Sequence, residues 1–152
     1  MSHKPYEFWR ILERGKKMIK TEQLSLARQL DLVFKELEEE LSGLSSGTVF
    51  VQIRNNVIGK FGIRHHPLEG RNGEIHSQDS GLTPVQYSSF RLMALESLKY
   101  KRHWTHGEIS YEFTIRQGLI AVDAILESNY NMANLMIRYP RHTYPETVTE
   151  LS

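Results

Sequence analysis

The chain has no cysteine, which excludes disulfide staples, thiol nucleophiles and thiolate metal centres. It has no apolar run near the roughly 18 residues a membrane-spanning helix needs, and its first residues lack an apolar signal core. Charge of one sign does not dominate either. Nineteen Lys and Arg stand against 18 Asp and Glu, a formal net charge of +1, so bulk electrostatics does not call for a nucleic acid or a membrane surface. Catalytic signatures are also missing: no G-x-S-x-G elbow, no phosphate loop ending in Lys-Ser/Thr, no H-E-x-x-H. No repeat at solenoid period occurs. These absences lead to the expectation of a cytoplasmic protein without cofactor or catalysis.

What is present is clearest between residues 82 and 127. Thr83-Pro84-Val85-Gln86 reads as a capping box with proline at the first helical position. Tyr87, Phe90, Ala94, Leu95 and Leu98 then recur at three- and four-residue steps, with Leu92 and Met93 widening the stripe. A central helix over about 83–103 is expected, its last turn bearing Lys99, Lys101 and Arg102, where cations complement the helix dipole. Beyond it, Thr105-His106-Gly107-Glu108 fits a second capping box. Against a second helix, Ile109, Tyr111, Phe113 and Ile115 alternate with polar residues. Folding back through Gln117-Gly118 pairs Ile115 with Ile120, Phe113 with Val122, Tyr111 with Ala124 and Ile109 with Leu126. All four pairs are apolar and on one face, as hairpin register requires. Glu112 then faces Asp123, a like-charge pair, but a helix would carry Gly118 in its interior at roughly 1 kcal/mol. The hairpin is the better reading.

Residues 4–20 are basic and amphipathic and predict a terminal helix packed on its own domain. Thr21 is the expected cap of a second helix to about Ser42, with Ala27, Leu30, Phe34, Leu37 and Leu41 as its seam. Residues 48–54 and 57–64 predict a hairpin around Asn55-Asn56. A loop lengthened by one residue aligns Val49 with Ile63, Val51 with Phe61 and Ile53 with Gly59. Residues 65–81 read as an irregular loop with a turn at Asn72-Gly73. Met132–Tyr139 predicts a short helix capped by Asn131.

The fold class is therefore α+β: an antiparallel sheet of two β-hairpins, packed against N-terminal helices and the central helix. One domain spans 1–139, and 140–152 reads as a flexible tail. Function follows from the surface rather than a motif. Residues 1–20 hold six basic and two acidic side chains, whereas residues 22–40 hold two basic and six acidic. Such segregation steers a partner without a large net charge. Glu36, Glu38, Glu39 and Glu40 form an acidic patch, and Lys99, Tyr100, Lys101, Arg102 and Trp104 a basic-aromatic strip. The expected role is a small regulatory or adaptor protein acting through protein–protein contacts. Two alternatives remain open. The strip 99–104 suits a nucleic-acid-binding regulator, and His65, His66, His76 and His106 supply imidazoles for a metal-dependent enzyme, without a fixed ligand spacing.

Overall fold

The computed structural model describes residues 24–77 and 80–139. The basic segment 4–20 and the tail 140–152 lie outside the described residues. So does Thr21, and the helix it was expected to cap starts instead at Ser25. The Ser25 hydroxyl accepts the Arg28 N–H at 3.2 Å and its carbonyl takes the first helical bond, from Gln29, so two groups at the helix start find partners. Helix α1 (Leu26–Leu41) buries Leu30, Val33, Phe34, Leu37 and Leu41 together with Gln29. Ala27, expected in the seam, is exposed.

Strands β1 (Ser46–Arg54) and β2 (Val57–Arg64) form the first hairpin. Val49 faces Ile63 and Val51 faces Phe61 as expected, but Ile53 faces Ile58 rather than Gly59. The loop is not lengthened. Asn55 and Asn56 both hold positive φ, 51° and 60°, as a two-residue hairpin turn requires and as Asn tolerates. The odd residue is taken up by a bulge, where Gly59 and Lys60 stand against Gln52 alone. That keeps Ile58 and Ile63 on the core side. Residues 65–77, expected to be irregular, contain a small hairpin of β3 (Glu69–Arg71) and β4 (Glu74–His76) around Asn72-Gly73.

Helix α2 (Pro84–Ser97) opens with the expected capping box: the Gln86 N–H donates to Thr83 Oγ1 at 3.1 Å and the Thr83 N–H to Gln86 Oε1 at 2.9 Å. It ends earlier than expected. A 3-10 turn takes Leu98–Tyr100 and Lys101 is already extended, so Lys101 and Arg102 lie beyond the helix and its last α-helical turn holds no cation. Leu92 and Met93 do not widen the buried stripe; they are 58% and 36% exposed on the outer side.

Strands β5 (His106–Arg116) and β6 (Leu119–Ser128) form the second hairpin, with all four expected apolar pairs in register. The capping box at Thr105 therefore starts no helix: the chain enters β5 at His106. A short α3 (Met132–Arg138) closes the described chain, with Asn131 accepting the Ala133 N–H at 2.7 Å.

The four long strands make one antiparallel sheet in the order β2-β1-β5-β6. Two α-β-β units, α1-β1-β2 and α2-β5-β6, thus meet along the β1–β5 ladder, with α1 against β2 and α2 against β6. Both helices cover the same face. Between them and the sheet lie Phe34, Phe90, Tyr111 and Phe113, with Phe34–Phe90 and Phe90–Phe113 centroids 5.0 and 4.9 Å apart, distances at which aromatic pairs add to simple area burial. Among the described residues no helix is long and apolar enough to cross a membrane.

Candidate functional site

The basic-aromatic strip does not survive as one surface. Trp104 is 2% exposed and belongs to the core. Its indole N–H donates to the Lys101 carbonyl at 3.0 Å and its backbone N–H to Asn56 Oδ1 at 2.6 Å. Its ring leans on Gly107, where a Cβ would sit 2.5 Å from the indole. This indole is therefore closed to any partner, because the chain turns inward between the 3-10 turn and β5. Lys101 is half-buried, its ammonium 5.1 Å above the Trp104 ring, and Lys99 pairs with Glu96 one helical turn back. Tyr100, 82% exposed, and the exposed Arg102 remain available.

The acidic residues Glu36, Glu38, Glu39 and Glu40 are all exposed on α1. Glu40 reaches His65 Nε2 at 2.6 Å, and Asp31 on the same helix pairs with Arg91 of α2. The histidines are scattered. His65 sits on Glu40, His66 follows it in the connector, His76 ends β4 and His106 begins β5. Among the described residues no three His, Asp or Glu side chains gather as a metal site would require.

Two tyrosines carry shifted hydroxyls. Burial pushes Tyr111 up to about 12, against a lowering hydrogen bond from Ser97 at 2.8 Å. Tyr87 is also pushed up to about 12, by burial first and then by Glu38, with Arg91 opposing; its hydroxyl donates to the Phe34 carbonyl at 2.7 Å. Both hydroxyls, held neutral, tie helix to core.

Two further surfaces stand out. The first is α3 and the turn before it, where the sequence itself already sets interface-type side chains, Tyr130 and Met132, around Asn129 and Asn131. Tyr130, Met132, Met136, Ile137 and Tyr139 are each about half exposed or more. This stretch leaves the sheet at the end where His106 opens β5, and the Asn129 N–H bonds the His106 carbonyl there at 2.8 Å. The second is the sheet face turned away from the helices. Glu108 accepts from Gln52 at 3.2 Å, from Arg64 at 3.4 Å and from Ser110 at 3.3 Å. Across the β5–β6 ladder Glu108 stands opposite Glu127, and Glu112 opposite Asp123. Like charges directly opposite weaken a sheet, by roughly 0.2–1 kcal/mol per pair. Phe50 also faces this side yet is only 8% exposed. Arg64 lies 4.0 Å over its ring, and Gly62 leaves it room, since a Cβ there would come within 3.2 Å. At one end of the face is an open hollow of about 750 Å³ lined by Gln52, Arg54, Lys60, His106, Glu108 and Glu127 among others. Its charges are mixed, which gives it no single ligand chemistry.

Compared with known proteins, the chain matches no family model, no curated protein and no solved structure.

Proposed function

We propose that this is a small cytoplasmic regulatory or adaptor protein that works by binding another protein. One observation carries the reading: the run from Tyr130 to Tyr139 holds out Tyr130, Met132, Met136, Ile137 and Tyr139 to solvent. Met and aromatic side chains are what protein interfaces favour. Tyr100 and Arg102, exposed on the segment that leads into β5, add a ring and a cation to the reading. A partner that fits is apolar at the centre of its contact and acidic at the rim. The nucleic-acid reading has less behind it, because Trp104 is not free to stack and Lys99 and Lys101 are already engaged.

The test is capture from the native host followed by mass spectrometry, run beside a Met132→Ser/Ile137→Ser variant and a Tyr100→Ala/Arg102→Glu variant. A protein that copurifies with the wild type and is lost from both variants, at unchanged melting temperature, supports the proposal. Equal capture by all three proteins overturns it. Retention of mixed single-stranded DNA and RNA that falls steeply with salt would replace it by the nucleic-acid reading.

A further inference from the structure

The sheet face turned away from the helices is polar in a second sense: its two halves carry opposite charge. On the β2 side stand Lys60 and Arg64; on the β5–β6 side stand Glu108, Glu112, Asp123 and Glu127. The remaining cations of the face, Arg54 on β1 and Arg116 on β5, lie at opposite ends of the strands, outside the rows these six occupy. The ladders fix these residues in rows. One row runs Arg64, Thr48, Glu112, Asp123, and the next Gly62, Phe50, Ser110, Ile125. In the third, Lys60 in the bulge precedes Gln52, Glu108 and Glu127. Lys60, Gln52, Glu108 and Glu127 all line the same hollow.

We propose that two copies of the chain associate face to face through this surface, about a two-fold axis that lies between them and runs along the β1–β5 ladder. That rotation lays β2 of one copy over β6 of the other at the same level along the strands. Arg64, turning from Glu108 and Phe50 of its own copy, then meets Asp123 and Lys60 meets Glu127, twice over, as a two-fold interface demands. In the middle row Ile125, 47% exposed, meets Gly62, which has no side chain to block it and stands beside the Phe50 ring. The carboxylates that face each other within one copy receive cations from the other. The alternative in-plane axis, across the strands, sets Arg64 over Lys60 and acid over acid, so the charge pattern admits one orientation.

Two twisted sheets pack about 30° from parallel. With strands roughly 4.8 Å apart this displaces the outer ones by about 4 Å, within the reach of Arg and Lys side chains. Four strands of this length present a face of about 600 Å² per copy, below the roughly 800 Å² per partner of a standard stable interface. The dimer is thus reversible, forms as concentration rises and weakens with salt.

The experiment is sedimentation velocity of the full chain over a wide concentration range, at low and high salt, with two charge-reversal variants. In Lys60→Glu/Arg64→Glu every charge in the three rows is acidic; in Asp123→Lys/Glu127→Lys the β6 edge of those rows becomes basic. Expected are a wild-type mass rising toward two chains and reversed by salt, each variant alone at one chain, and an equimolar mixture of the two regaining the dimer. A wild type that stays at one chain throughout, a dimer indifferent to both variants, or a mixture that stays monomeric while both variants melt as the wild type does, overturns the proposal. Should a charge variant fail to fold, Ile125→Gln reads the same face without altering charge. Loss of the dimer there supports the arrangement, and a wild-type dimer overturns it.

Discussion

Gln29 fastens the Asn55-Asn56 turn to helix α1: its amide nitrogen donates to the Asn56 carbonyl at 3.0 Å. Its amide oxygen accepts the Ile58 N–H at 2.7 Å, and the side chain is 3% exposed. One buried amide thereby satisfies a carbonyl of the turn and an N–H of β2 just beyond it, and also bonds the Leu24 carbonyl at 3.1 Å. Replacing it with Leu keeps the bulk and strands those groups. Gln29→Leu is expected to cost about 2–4 kcal/mol, read as a shift in the urea midpoint at unchanged slope. A variant within experimental error of the wild type would mean the turn is held by the bonds of Asn55 and Asn56 to Thr105 and Trp104.

Gly107 sits where no side chain fits. A Cβ would come within 2.2 Å of the Glu127 carbonyl oxygen and 2.5 Å of the Trp104 ring. Gly107→Ala must move the β5–β6 ladder or expel the indole, at a cost of about 3 kcal/mol or more. Trp104 fluorescence should shift to the red as the ring meets water, and an unchanged spectrum and melting temperature would contradict the packing described.

The β5–β6 turn offers a gain instead. Gln117 holds φ at 53°, followed by Gly118 at 78°, and a Gln in the left-handed region carries a strain that Gly or Asn largely avoids. Gln117→Gly should raise stability by about 0.5–1 kcal/mol, measured by thermal melting. A loss would show that Gln117 makes up its strain elsewhere.

Stability should fall in alkali in a definite window. Tyr111 ionises near 10 when unfolded and is pushed up to about 12 in the fold by burial. Below pH 10 the phenol is neutral in both states and its full contribution is present. Between pH 10 and 12 only the unfolded chain ionises, so stability drops by about 3 kcal/mol and stays lost above. Tyr87 acts with the same sign, more weakly because it is partly solvated. Tyr111→Phe should be less stable at neutral pH, where it loses the hydroxyl's bonds to Ser97 and Ala94, and should show a flatter alkaline decline. An identical decline in both proteins would assign the effect to other groups.

How far the sequence reached depended on whether a signal was local. The capping box at Thr83 and Gln86 and the Asn131 cap are complete within four residues, and both are found in place. The second hairpin was legible because a strict alternation fixes register once its turn is placed. From that register the Glu112–Asp123 pair was already visible, and with it the start of the acidic half of the open face. The cationic half was visible too, since Val49 facing Ile63 and Val51 facing Phe61 already set Arg64 opposite Thr48 and Lys60 opposite Gln52. What no local signal carried was the β1–β5 ladder that joins the two halves into one face. Trp104 was misread for a related reason. A ring among cations suggests a surface, and only the glycine three residues on, with nothing where its Cβ would go, hints that the indole turns inward.

The two α-β-β units have a kinetic consequence. Every hairpin, in either unit, closes over a turn of two residues, whereas Gln52 and Glu108 on the shared ladder are 56 residues apart. Joining the units therefore bears the largest loop-closure cost among the described residues and is expected to set the pace of folding. Substitutions along the β1–β5 seam will slow refolding, while those at the outer strands will chiefly hasten unfolding.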